Sequence, residues 1–244
     1  SLHESTTNGE VAFVIPINDT IIGDLAIDSE GNLYVVTASK IYSFNRTTEL
    51  WCYSNNYVIG NFSGVAIGRD VIITPKSGDT LYFINQSSGE KYGNSNIYQG
   101  SSLFAPIIDS NANLYIVSEY QTGSNDYKLV IVPYKMWENG GEPTLISIGN
   151  SKPLASPTVS NEIIVVLAEN RFTIINAKTL IINAIKSGNF MNVRPVISND
   201  NIVYCVLGDS IVAFKSSGAQ LWKTKVTNGV GNHLVLDNEH GLYH

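Results

Sequence analysis

RPVISNDNIVYCVLGDSIVAFKSSGAQLWKTKV, residues 194–226, is the stretch whose reading decides the fold. It divides into four short runs with three turns between them. Arg194 to Ser198 is the first run, closed by Asn199-Asp200. Ile202 to Leu207 is the second, closed by Gly208-Asp209-Ser210. Ile211 to Lys215 is the third, closed by Ser216-Ser217-Gly218, and Leu221 to Val226 is the fourth. Gly, Asn, Asp and Ser supply the turn conformations, while β-branched and aromatic residues fill the runs. The pattern predicts four antiparallel strands. The second run is apolar at both alternating sets of positions, so neither of its faces suits water. The fourth sets Lys223 and Lys225 on one face and Trp222 and Val226 on the other, as expected of a strand with one wet side. A sheet greasy on both faces in its middle and polar at its outer rim cannot stand alone.

The rest of the chain supplies the missing neighbours. An apolar residue anchors each first strand at Ile27, Ile67, Ile108, Val159, Ile197 and Leu236, at steps of about 40, 41, 51, 38 and 39 residues. That period belongs to four-stranded blades stacked around an axis. The expected fold is therefore all-β, a β-propeller of four-stranded antiparallel blades, with five complete blades and a partial sixth in one domain spanning residues 1–244. The third blade carries about ten extra residues, around 120–126 and 136–141. Residues 1–8 are polar and have neither the basic start nor the apolar stretch of a signal peptide. Residues 10–17 read as a fourth strand with none ahead of it, and 231–244 as the first two strands of a sixth blade. Two readings of the ends stay open: residues 10–17 and 231–244 share that blade, or the chain is a fragment of a larger protein.

Bulk properties narrow the function classes. The 244 residues carry a net charge of −6 and no basic cluster, which argues against a nucleic-acid partner. No apolar run is long enough to cross a bilayer as a helix. Charged residues make up only 15%, against roughly 25% in ordinary domains. Asn, Ser and Thr take their place, which fits an extracellular, periplasmic or lumenal protein and equally an AT-rich genome. Sequons at Asn18, Asn45, Asn61 and Asn85 are about as many as chance provides in so Asn-rich a chain. Cys52 and Cys205 fall in different blades and read as separate thiols.

The repeats resemble the quinoprotein-type, PQQ-like propeller family. The resemblance rests on FAPIIDSNANLYIV (104–117), GDLAIDSEGNLYVV (23–36), ASPTV (155–159) and IVAFKSSGAQLW (211–222). It implies that Trp51 and Trp222 pack between blades, with Tyr92 standing where other repeats have Trp. Enzymes of that family hold a quinone and Ca²⁺ and carry adjacent cysteines. This chain has no Cys-Cys pair. The resemblance thus points to the non-enzymatic branch, which includes a bacterial outer-membrane assembly lipoprotein and uses the rigid ring as a protein-binding platform. No cofactor is expected.

Candidate sites are few. Asp28 to Asn32 and Asp109 to Asn113 have the composition of calcium loops, but Asp and Gly there serve turn geometry. His233, His240 and His244 lie near the C-terminus; His240 and His244 have the i, i+4 spacing of a helical zinc pair but read as turn and strand, where that spacing does not converge. No G-x-S-x-G and no phosphate-binding Gly loop occurs. The remaining prospect is the rim that carries the links between blades and the second-to-third turns, with Tyr57, Phe62, Tyr98, Tyr120, Arg171, Phe190 and Arg194. Aromatics with Arg are what interface cores favour. The candidate partner-binding set is Tyr98, Tyr120, Arg171, Phe190 and Arg194; the alternative is that these side chains are wedged between blades. The functional expectation is a non-catalytic scaffold for a protein or glycan. The rival classes are a cofactor-binding, quinoprotein-like enzyme domain using the central channel, and a structural module of a larger surface protein.

Overall fold

A computed structural model of the chain describes residues 2–5, 11–22, 25–37, 39–54, 64–68, 70–75, 80–96, 100–120, 125–133, 142–226, 231, 233–237 and 241–243. Every regular element among them is a β-strand. The chain divides into two compact units, residues 1–97 and 98–244.

In the first unit, β1 (Leu2–Ser5) pairs antiparallel with β2 (Val11–Ile15), placing Leu2 opposite Ile15. Two four-stranded antiparallel sheets follow. One runs β3 (Ala26–Ile27), β4 (Asn32–Val36), β5 (Lys40–Asn45), β6 (Thr48–Ser54). The other runs β7 (Ala66–Ile67), β8 (Val71–Pro75), β9 (Thr80–Asn85), β10 (Lys91–Asn96).

In the second unit, β11 (Gly100–Ser102) and β12 (Ile107–Ile108) both pair with β13 (Leu114–Tyr120), followed by β14 (Asp126–Val132) and β15 (Thr144–Gly149). The next sheet is β16 (Thr158–Val159), β17 (Ile163–Ala168), β18 (Arg171–Asn176), β19 (Ile182–Ser187). Then come β20 (Val196–Ile197), β21 (Val203–Leu207), β22 (Ser210–Phe214), β23 (Gln220–Lys225), and the pair β24 (Val235–Leu236) with β25 (Leu242–Tyr243).

All six anchors occupy the second position of a two-residue first strand. These first strands are shorter than the sequence suggests. In the stretch 194–198 only Val196 and Ile197 pair, because Pro195 has no N–H to give a ladder. One expectation fails outright. The strand read in residues 10–17 does have one ahead of it, since Leu2–Ser5 pairs antiparallel with Val11–Ile15.

Alternation along the second strands explains the stacking. In β17, Ile163, Val165 and Leu167 pack with Phe172 of their own sheet and with Val203, Cys205, Val212 and Phe214 of the following one. Ile164 and Val166 turn the other way, onto Tyr115, Val117, Leu129 and Ile131. Likewise Cys205 faces back and Tyr204 and Val206 face forward, onto Leu234, Leu236 and Leu242. Each buried Val, Ile or Leu contributes about 1.5–3 kcal/mol, so the sheets β16–β19 and β20–β23 each depend on a neighbour on both faces. Ile27 departs from the pattern: it anchors its repeat yet is 67% exposed.

The fourth strands β6, β10, β19 and β23 carry a bulge near their start, and the bulge resets the side-chain register. Opposite Phe44 and Ser43 stand Glu49 and Trp51, with Leu50 extruded; opposite Phe214 and Ala213 stand Gln220 and Trp222, with Leu221 extruded. In the second sheet Ile84 and Phe83 face Lys91 and Gly93. Tyr92 is the extruded residue there, and the position equivalent to Trp51 is Gly93. Tyr92 is therefore an exposed rim residue that tilts against Phe83, 6.3 Å between ring centres. It is not a replacement for the interleaved tryptophan.

Trp51 fills the interleaved role. It is buried, its indole N–H donates to the Gln86 carbonyl at 2.8 Å, and Gly89 of the next sheet lies against its ring. Gly89 has φ +71, and a Cβ on it would sit 2.5 Å from Trp51 Cδ2. The turn at Gly218 (φ +81) repeats this on the preceding sheet, where it covers Ala184. Trp222 tilts onto Tyr204 of its own sheet and stays 41% exposed.

Candidate functional site

The acidic turns come first, because their composition suggested a cation. Asp28 Oδ1 accepts the N–H groups of Glu30 (2.9 Å) and Asn32 (2.8 Å), while Oδ2 accepts Asn32 Nδ2 (2.9 Å), the Tyr34 hydroxyl (2.8 Å) and Gln86 Nε2 (2.8 Å). Asp109 makes the same bonds to Asn111, Asn113 and Tyr115, and Asp237 to Gly241 and Tyr243. The recurring unit is Asp, then Asn or Gly four residues on, then Tyr six residues on. Partial burial opposes the Asp28 charge, but the bonds from Asn32, Tyr34 and Gln86 outweigh it and hold the carboxyl at about 2. Burial, then the bond to Asp28, pushes the Tyr34 hydroxyl up to about 12. These carboxylates are spent on turn and inter-sheet geometry. Among the described residues no three His, Cys, Asp or Glu side chains gather as a metal site would need.

Around the first strands of the second unit a belt of polar ties joins neighbouring sheets. Ser156 Oγ donates to the Ala105 carbonyl (3.0 Å), Thr158 Oγ1 to that of Pro195 (2.8 Å), and Arg194 Nη2 to that of Pro157 (3.2 Å). The Pro-containing openings of the repeats thus bring together prolines fixed in φ and carbonyls that accept from a neighbouring sheet. On the first turns, Ser110 donates to Asn161 and Ser160 to Asn201.

The rim residues separate into two kinds. Phe190 is buried at 4% exposure, set edge-on to Phe172 with ring centres 5.1 Å apart, and bridged through its main chain to Leu207. Arg171 begins β18 and donates through Nη2 to the Ile148 carbonyl. Its guanidinium lies directly over Gly149 (φ +85), where any side chain would collide with it, and its Nε is buried without an acceptor among the described residues. Both side chains are wedged between sheets. Arg194 is exposed, and Tyr120 is half-buried at the end of β13 with the Lys128 ammonium 5.3 Å from its ring centre. Lys128 pairs with Asp126 at 2.9 Å. Tyr98, Tyr57 and Phe62 lie outside the described residues, as do His240 and His244.

A second feature escaped sequence reading. In the first unit a groove of about 500 Å³ runs between the segment after β2 and the face of β5. Lys40, Tyr42 and Phe44 alternate onto one face of β5, where Tyr42 and Phe44 stack at 5.8 Å and 16°. Asp19 fixes the opposite wall. It accepts the hydroxyls of Thr37 (2.6 Å) and Ser39 (2.8 Å) and the N–H of Thr20 (2.8 Å), and the Thr37 bond above all lowers its pKa. The only trace of this in the sequence is the Lys-x-Tyr-x-Phe alternation, which any half-buried strand shows.

Comparison with known proteins gives a fold and no family. No family model matches the chain, and no curated protein sequence matches it. Among solved structures, the crystal structure of BamB from Moraxella catarrhalis superposes with a TM-score of 0.63 at 16% identity, covering 88% of this chain and 65% of that one. The chain thus spans about two-thirds of that protein's length. The likeness is one of fold: this chain is built as a β-propeller of four-stranded antiparallel blades.

Proposed function

We propose that this chain is a non-catalytic propeller scaffold that binds a protein partner outside the cytoplasm. The observation that carries the reading is the division of labour on the rim of the second unit. Arg171 and Phe190 are spent on holding sheets together, while Arg194 is exposed with its guanidinium anchored at 3.2 Å and Tyr120 is half-buried beside Lys128. A pre-positioned Arg and a rigid aromatic lose little entropy when a partner covers them. The BamB-like fold supports the same reading.

The test is a photo-crosslinking residue at position 194, with a control at the exposed Glu30, both in the native host. A discrete protein adduct from position 194 and none from position 30 supports a docking rim, and Tyr120→Ala should weaken the adduct. Equal or absent labelling from the two positions refutes it. The rival enzyme reading is tested by titrating quinone and Ca²⁺ and watching for a spectral shift, which the scaffold reading predicts will not appear.

A further inference from the structure

We infer that the outer strands β19 and β23 of the second unit form a docking face for the surface of an anionic lipid bilayer. The face goes beyond the scaffold reading and uses residues other than those of the docking rim. Residues 172–226 hold six cations, Lys178, Lys186, Arg194, Lys215, Lys223 and Lys225, against two acids, Asp200 and Asp209, in a chain whose net charge is −6. No run of lysines marks them in the sequence; the fold gathers them. The turn at Gly218 lies on β19, where a Cβ on that glycine would stand 2.4 Å from Ala184 Cβ and 3.0 Å from Lys186 Cε, and Asn183 Nδ2 donates to the Ser216 carbonyl at 3.5 Å. Lys215 opens that turn, so it shares a surface with Lys186, and β23 leads out of the same turn to Lys223.

The acids leave three of these cations uncompensated. Lys178 faces Glu162 at 3.7 Å and Lys225 faces Asp209 at 2.9 Å, while Lys186, Lys215 and Lys223 form no ion pair among the described residues. Asp200 lies in the turn between β20 and β21, two strands inward from β23. Both outer strands also expose apolar side chains, Ile182 and Ile185 on β19 and Leu221 and Trp222 on β23. β23 is exposed at every position, so side chains of either alternation flank its outer edge. An indole, apolar in body with one N–H, suits the boundary between headgroups and acyl chains. Lysine lays its stem along apolar surface while its ammonium reaches a phosphate. A peptide adding a strand here fits less well, because lysines on an outer strand oppose edge pairing. Three separated cations across two sheets match a fluid array of lipid phosphates better than the fixed carboxylates of one chain.

The test is co-sedimentation of the full chain with vesicles of phosphatidylcholine alone and of phosphatidylcholine mixed equally with phosphatidylglycerol, at low and high salt. The expected result is binding to the anionic vesicles about tenfold or more tighter than to the neutral ones, weakened by salt. Lys215→Gln and Lys223→Gln should each weaken it about fivefold, the worth of one lysine at such a surface, with unaltered unfolding midpoints. Lys152→Gln, which removes an exposed cation outside the face, should leave it unchanged. Brominated phosphatidylglycerol should quench the indole fluorescence of the wild type and quench Trp222→Phe much less. The inference is overturned if the two kinds of vesicle bind alike, if Lys152→Gln weakens binding as much as Lys223→Gln, if Trp222→Phe is quenched as strongly as the wild type, or if oligoglutamate binds the chain and the vesicles do not. Cross-linking from position 194 should be unaffected by Lys223→Gln, so failure here leaves the docking rim standing and failure there leaves the bilayer face.

Discussion

Replacing Gly89 by Ala probes how consecutive sheets are held together, and Gly31→Ala provides its reference. Both glycines sit in turns at positive φ, +71 and +83. Each alanine therefore pays a similar backbone penalty of about 1–2 kcal/mol. They differ in what a methyl group would meet. At Gly31 nothing lies within 4 Å; at Gly89 the methyl would stand 2.5 Å from Trp51 Cδ2 and 2.6 Å from Cε3. The indole cannot retreat freely, because its N–H is bonded to the Gln86 carbonyl of the same turn. Overpacking a rigid site of this kind costs about 1–3 kcal/mol more. Urea unfolding followed by circular dichroism should thus place Gly89→Ala below Gly31→Ala by about 1–3 kcal/mol. In a Trp51→Ala background the gap should close to within about 0.5 kcal/mol, because the colliding ring is gone. Equal losses for the two alanines in the native background, or a gap that survives removal of the indole, would refute the interleaved packing.

Other outcomes follow from the same geometry. Trp51→Ala should cost about 3–5 kcal/mol. Trp222→Ala, with a ring 41% exposed against 8% for Trp51, should cost roughly half that, yet more than Lys223→Ala, which should fall within about 0.5 kcal/mol of wild type; matched chemical denaturation orders the three. The Asp28 carboxyl is held at about 2, below its ordinary 3.8, so its contribution is complete above about pH 4 and fades as pH falls towards 2. After discounting for partial exposure it amounts to about 1–2 kcal/mol. Asp28→Asn should lose that much at neutral pH and little at pH 2. Burial pushes the Cys205 thiol up to about 12, and both cysteines are free. Ellman's reagent at pH 8 should spare Cys205 in the native protein and titrate two thiols once it is unfolded.

The repeat was legible because each blade restates the same needs. Apolar anchors at Ile27, Ile67, Ile108, Val159, Ile197 and Leu236 all mark first strands, and a second strand such as Ile163–Ala168, apolar at every position, is buried at every position. Tyr92 was misplaced because a bulge adds one residue without altering composition, and period-two reasoning carries a side chain to the wrong face after it. Leu2–Ser5 was missed because so short a polar run carries no strand pattern, while a main-chain ladder is open to any residue but proline. Arg171 and Phe190 look like interface residues by type. Only the close approach of Gly149 to the guanidinium and the ring of Phe172 against Phe190 show how they are used. The groove was illegible for a related reason, since its two walls come from segments twenty residues apart that Asp19 clips together.

The central claim is that one four-stranded unit, bulge included, recurs along the chain, and cross-strand nuclear Overhauser contacts between backbone protons test it most directly. The account predicts the pairs Ser43 with Trp51, Phe83 with Gly93, and Ala213 with Trp222. Contacts placing Tyr92 opposite Phe83, or sequential patterns typical of helix in any of these segments, would contradict it.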